Sequence, residues 1–319
     1  MLSRRSSIVL TSILFVTFLL AVGSVSRAAE NPYGVAAYTI LDNETGYILE
    51  SSNGIEKRQV ASLTKIATAM VVLDWCQATN HDVSELAAVP AEVARMEGAN
   101  PVGLAPGDFV SLRDLLYCSL LQSDNAAAYT LAAHVGRSLK ATSSKPDDLG
   151  PVDTFVAQMN ALARSLGMNN TLFLNPHGLE PRKGMLPHSS SDNMARLARY
   201  AMKDKGFRFY VSQKERKISI VRALKPEDYL LRNTNELLGQ DGIDGVKTGR
   251  TAAAGECLIL SSTRAPETRE EAGKTYITPR RVTVVLLGAQ NRFAAGAQLL
   301  RRAWSLEEQW AAGGRRTNP

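Results

Sequence analysis

Cysteine, histidine and aromatic residues are scarce in this chain: 3 cysteines, 4 histidines and 6% aromatics in 319 residues. Cys76, Cys118 and Cys257 lie far apart and form no Cys-x-x-Cys pair, which argues against the common zinc and dithiol redox motifs. One pair could bridge in an oxidising compartment, or all three could be buried free thiols in apolar elements; neither reading assigns them chemistry. No metal and no other cofactor is expected. Internal repeats and low-complexity tracts are missing, as are the recurring apolar spans of a multi-span membrane protein. With 45% hydrophobic and 21% charged residues the composition is that of an ordinary globular protein, not a disordered one. An excess of one charge is lacking too. The formal charge of +6 includes Arg4, Arg5 and Arg27, with no acidic residue before Glu30, so 6 − 3 = +3 remains beyond the leader. That small excess is no signature of a nucleic-acid partner; it suits solubility, or residence near anionic wall polymers or lipid head groups.

One apolar run is present. Met-Leu-Ser-Arg-Arg is followed by Ile8 to Val22 and then by small residues at Ser24, Ser26 and Ala28. This is the charged, apolar and small-residue order of a secretory signal peptide cleaved after Ala28. An uncleaved N-terminal anchor is the alternative, and it would keep the protein associated with the membrane. Both place the rest of the chain beyond a membrane, in the periplasm or cell envelope. The expected organisation is 1–28 as leader or anchor, 29–312 as one globular domain and 313–319 as a flexible tail.

Ala36 to Leu41 and Tyr47 to Glu50 read as two strands around Asp42-Asn43-Glu44-Thr45-Gly46, a hairpin turn by composition. Leu63, Ile66, Ala67, Met70, Val71 and Leu73 have helical spacing, which predicts a long buried helix starting at Ser62. Residues 82–108, rich in Gly and Pro, read as an irregular surface excursion. Helices are expected over Leu112 to Leu121, from Asp124 through Val135, over Phe155 to Leu166 and over Ser191 to Lys203; the polar stretch Ser138 to Pro151 reads as an insertion loop. Strands are expected at Ile218–Val221, Tyr229–Arg232, Val246–Gly249, Cys257–Ser262 and Arg281–Leu287, with Asp241-Gly242 and Asp244-Gly245 as turns. A final amphipathic helix, Phe293 to Trp310, carries Phe293, Ala297, Leu300 and Trp304 on one stripe; packing on the sheet is its plainer reading and membrane-surface binding the other. Strands at both ends with helices between them predict an α+β fold. One antiparallel sheet is built from the two chain ends and flanked by helices, with an inserted, mainly helical subdomain and a cleft between the lobes.

Three short groups carry chemistry. In Ser62-Leu63-Thr64-Lys65, positions three apart share a helix face, so the Lys65 amine can reach the Ser62 hydroxyl. A serine becomes nucleophilic when a base takes its proton, and a lysine with a pKa lowered by burial can be that base. Ser123-Asp124-Asn125 lies between two helices, with a hydroxyl that can relay protons and an amide that can donate to and accept from a peptide backbone. Each group by itself is equally well a capping turn. Lys247-Thr248-Gly249, followed by Arg250, sits on a strand: a cation and a hydroxyl suit a substrate carboxylate, and the glycine admits close approach. Strict alternation would turn Thr248 away from Lys247 and Gly249.

In this order and spacing the three groups resemble the penicillin-recognising serine enzymes, among them the low-molecular-mass penicillin-binding proteins of the serine D-alanyl-D-alanine carboxypeptidase family. The resemblance reaches from about Tyr33 to Arg302 and includes Ala61 to Thr68, Phe173-Leu174-Asn175-Pro176-His177-Gly178-Leu179 and Gly245 to Gly249. It implies a β-lactamase/transpeptidase-like fold and a Ser62 acyl-enzyme formed on peptidoglycan stem peptides, with β-lactams as covalent inhibitors. It further implies Lys65 as base, Ser123 as proton shuttle and Asn125 on the peptide amide. Lys247 and Thr248 would bind the terminal carboxylate beside Gly249, and the N–H groups of Ser62 and Arg250 would form the oxyanion hole. His177 receives no chemical step and is expected to hold structure by hydrogen bonding. Glu180 invites comparison with the deacylating glutamate of β-lactamases, but Gly184 stands where those enzymes have asparagine. The rivals are an endopeptidase of D-alanyl cross-links, which needs only a wider groove; a β-lactamase, which needs a deacylating base; and a non-catalytic wall-binding module, which would be marked by loss of Ser62 or Lys65.

Overall fold

The computed structural model describes residues 31–142, 148–181 and 184–316. The expected leader, the middle of the polar insertion and the last three residues lie outside these. The described residues from Asn31 onward belong to one unit. Its main sheet has five antiparallel strands in the order β2-β1-β9-β8-β7: β1 (Ala37–Asp42), β2 (Ile48–Ser52), β7 (Ile243–Thr251), β8 (Gly255–Glu271) and β9 (Lys274–Ala289). The first two come from the N-terminal hairpin and the last three from the C-terminal third, joined by the β1–β9 pairing Ala37↔Leu287 to Asp42↔Val282. The antiparallel sheet of the two chain ends is therefore as the sequence predicts.

Period-two alternation on these strands supplies two cores. Leu258, Leu260, Val282, Val284 and Leu286 pack beneath the terminal helix α7 (Arg292–Ala312), while Cys257, Ile259, Val285 and Leu287 join the opposite core. Both faces are covered, so each of these leucines contributes roughly 2 kcal/mol by leaving water. The buried stripe of α7 includes Ala295, Gly296, Leu299, Leu300, Ala303 and Trp304, displaced from the stripe predicted because the helix lies with Gly296 against Leu258 and Leu260 of β8. Its apolar face is thus spent on the sheet. Among the described residues no helix is long and apolar enough to cross a membrane.

The opposite face holds α1 (Lys65–Thr79), α2 (Leu112–Leu121), α3 (Asn125–Thr142), α4 (Pro151–Ser165), α5 (Ser191–Lys203) and the short α6 (Lys205–Val211). Local chemistry sets their ends: Ser111 Oγ accepts from Asp114 N at 3.0 Å to start α2, Ser190 Oγ accepts from Asn193 N to start α5, and Pro151 opens α4. A second, four-stranded sheet runs β3-β4-β5-β6, from Leu86–Ala88, Phe109–Ser111, Glu215–Arg222 and Lys225–Arg232. Two expectations change here. The strands at 215–232 pair not with the main sheet but with the segment that follows the 82–108 excursion, where Phe109 and Val110 register on Val221 and Ile220. Asp244-Gly245 is not a turn but part of β7, where Arg281 Nη1 donates to Asp244 Oδ1 at 2.8 Å. The polar stretch 263–281, which lacks strand alternation, extends β8 and β9 into a long hairpin around Ala272 and Gly273, both with positive φ as a two-residue turn demands. Cys76, Cys118 and Cys257 are free and buried.

Candidate active site

Ser62 does not begin an α-helix. Ala61–Thr64 forms a 3₁₀ turn after Ala61 in the left-handed region at φ +48°, and α1 starts at Lys65. The change favours contact, because residues three apart eclipse in a 3₁₀ turn: Lys65 Nζ lies 2.9 Å from Ser62 Oγ. The same amine reaches Asn125 Oδ1 at 2.7 Å and the His177 carbonyl at 3.0 Å. Lys65 is fully buried. Desolvation brings its pKa down to about 7, against the opposing pull of the Asp124 charge. A three-point cradle holds the amine and leaves Ser62, half-buried, as the end of the network that meets the cavity.

Ser123 adopts φ +62°, between α2 and α3. Asp124 behind it is fully buried: its Oδ1 caps α3 by accepting from Ala127 N at 2.9 Å, and its Oδ2 accepts from Val102 N at 3.3 Å. Burial raises its carboxyl pKa. These bonds hold Asn125, the first residue of α3, against Lys65, and they draw the 98–102 segment over the site. The excursion that reads as surface in the sequence therefore supplies Gly98 and Ala99 to the cavity wall.

Strand β7 closes the third side. Gly249 passes so near the 3₁₀ turn that a Cβ would stand 3.1 Å from Ser62 N and 3.2 Å from Val60 O. Thr248 Oγ1 pairs with Thr234 Oγ1 at 2.7 Å, so Thr248 does face the groove. Lys247 lies beneath the wall, 1% exposed, with Nζ donating to Thr248 O at 2.9 Å. Burial, then repulsion from Lys65 and Arg292, pushes its pKa well below the usual value. The loop before α5 locks the turn from behind. Asn175 Oδ1 accepts from His177 N and Gly178 N, and Thr68 Oγ1 donates to Pro176 O at 2.6 Å. His177 is half-buried and desolvation lowers its pKa to about 3, so it stays neutral; its carbonyl, not its ring, meets Lys65. Gly178, at φ +86°, leaves space that a Cβ would take 1.9 Å from Ala61 O.

Ser62, Ser123, Asn125, Thr248, Gly249 and Arg250 line one cavity of about 520 Å³, with Lys65 and Lys247 behind its wall. Every residue proposed from the sequence converges there. Sequence reasoning missed Thr234 and Arg292, also in the wall. Arg292 enters through the start of α7 and donates to Gly249 O at 3.1 Å. Nothing in the linear pattern places α7's first turn beside β7, although the Asn291 cap marks that turn. Glu180 lines the cavity as well, held by Thr251 Oγ1 at 2.6 Å. Among the described residues no group of three His, Cys, Asp or Glu side chains could hold a metal ion. Chemically, the arrangement offers an activated hydroxyl, a hydroxyl and an amide for proton relay and peptide contact, and hydroxyls with arginines for a carboxylate.

The family model of D-alanyl-D-alanine carboxypeptidases matches residues 25–269. The chain is 31% identical over 235 residues to a D-alanyl-D-alanine carboxypeptidase of Escherichia coli, covering 72% of this chain and 53% of that one. It therefore spans about half of that relative's length. A D-alanyl-D-alanine endopeptidase of the same organism is 27% identical over 290 residues, covering 88% of this chain and 80% of that one. Among solved structures, the Streptomyces K15 DD-transpeptidase superposes with a TM-score of 0.71 at 26% identity, covering 85% of this chain and 97% of that one.

Proposed function

Because this chain belongs to the D-alanyl-D-alanine carboxypeptidase family, we propose that it is an exported serine carboxypeptidase that removes the terminal D-alanine from peptidoglycan stem peptides in the cell envelope. The observation that carries the reading is the 2.9 Å contact between Ser62 Oγ and a buried lysine titrating at about 7. Neutral Lys65 accepts the Ser62 proton as Oγ attacks the carbonyl carbon of the penultimate D-alanine. The oxyanion forms against backbone N–H groups of the 3₁₀ turn and β7. The peptide C–N bond then breaks, and the proton passes through Ser123 to the leaving D-alanine nitrogen. Water hydrolyses the Ser62 ester, giving its proton back through the same base and restoring the serine hydroxyl. Thr248, Thr234 and Arg292 hold the terminal carboxylate, Asn125 holds the peptide amide, and Lys247 adds positive charge from behind. β-Lactams, which imitate the D-alanyl-D-alanine end of the stem peptide, would acylate Ser62.

A second reading, cleavage of D-alanyl cross-links, is favoured by the long match to the endopeptidase. Intact-mass spectrometry after exposure to benzylpenicillin tests the acyl-enzyme: the expected adduct forms on the wild type and not on Ser62→Ala. Incubation with stem pentapeptide and with a purified cross-linked dimer then separates the two peptidase activities by product. A wild type that forms no adduct and releases nothing from either substrate would defeat both.

A further inference from the structure

The wall of the cavity contains one acid, Glu180, together with two cations, Arg250 and Arg292. Its Oε1 accepts from Thr251 Oγ1 at 2.6 Å, and that hydroxyl accepts in turn from Ala254 N at 3.0 Å, so the carboxylate is anchored to the end of β7. Among the described residues it has no ion-pair partner, and Oε2 has no protein donor. A carboxylate fixed in a binding cavity, beside arginines that do not neutralise it, is available to a positive group on the ligand.

The order of groups along β7 says which group that is. On the carboxypeptidase reading, Thr248 and Arg292 receive the terminal carboxylate and the reacting carbonyl lies by Gly249, which approaches the Ser62 turn and takes a hydrogen bond from Arg292. An extended peptide advances about 3.3 Å per residue, the same step as the strand it lies along. The residue preceding the two D-alanines then falls opposite Arg250, and a methylene stem from there spans the one further step to Thr251, where Glu180 is anchored, with Leu179 and Ala99 offering apolar wall.

We propose that Glu180 is a specificity-determining residue that selects stem peptides whose third residue carries a side-chain ammonium. The assignment rests on the carboxypeptidase reading and deepens it. D-alanine release is measured for Nα-acetyl-L-Lys-D-Ala-D-Ala and for its Nα,Nε-diacetyl counterpart, in which the side-chain charge is removed. The wild type is expected to favour the free amine by about tenfold in kcat/KM, the scale of one charge-assisted hydrogen bond. The difference is expected mainly in KM. In Glu180→Gln the preference collapses towards one, and Glu180→Asp retains part of it; a melting curve for each variant establishes that it is folded. Equal preference in the wild type and Glu180→Gln would overturn the assignment while leaving the carboxypeptidase reading standing. Release from neither peptide by the wild type would overturn both.

Discussion

Acylation should follow the protonation of Lys65. With its pKa at about 7, about one-tenth of the enzyme has the neutral amine at pH 6 and about nine-tenths at pH 8. The second-order rate constant for acylation by benzylpenicillin should therefore rise about tenfold over that interval and level off above it. Two substitutions assign the titration. In Asp124→Asn a negative charge that raises the lysine pKa is removed, so the midpoint moves below 7. In Lys65→Arg the base stays protonated at any working pH, and the rate falls by about 10²–10⁴, the usual worth of a positioned general base. Lys247 is also buried and depressed in pKa, but it has no contact with Ser62; Lys247→Ala should lower the rate and keep the rising limb. The same burial links to stability. Lys65 binds its proton less readily in the folded chain than at its unfolded value of about 10.5, so folding is penalised below that pH. The penalty grows as pH falls from about 10.5 to about 7 and is constant below. The assay is mass-resolved or stopped-flow acylation at constant ionic strength. A profile flat from pH 5.5 to 9, or Lys65→Arg acylating within about threefold of the wild type, would refute the assignment of Lys65 as base.

Gly178→Ala should disable the site without touching any polar group. The added Cβ would sit 1.9 Å from Ala61 O at a backbone φ of +86°, so the turn that carries Ser62 must shift, and a displacement of that order costs about a hundredfold in rate. Wild-type acylation together with a wild-type melting temperature would sink this account. Glu307→Gln tests the terminal helix: its carboxylate is 1% exposed, lies 3.1 Å from Arg315 and also pairs with Arg280. Breaking such a pair should cost about 3 kcal/mol, read as a fall in Tm of about 6 °C; an unchanged melting curve would show that solvent already screens it.

Much of this protein was legible in its sequence because the signals were local. The helical spacing after Ser62, the hairpin turn at 42–46 and the strand-like runs at 257–262 and 281–287 each report on a few neighbouring residues, and the helices and strands they predict are present. The ordered motifs offered Ser62, Lys65, Ser123, Asn125, Lys247, Thr248, Gly249 and Arg250 through their resemblance to a family, and these residues gather around one cavity. What tertiary structure decided was long-range. The pairing of 215–232 with 86–111 depends on which edge is free, and hairpin 263–281 is held by backbone ladder bonds that leave no trace in a polar sequence. Thr234 and Arg292 enter the site only because β7 brings them to Thr248 and Gly249. The lysine that the motif offers as a base has its pKa lowered by burial: the sequence supplies the amine, and the packing of α1, α3 and the 175–180 loop around it removes the water that would keep it charged.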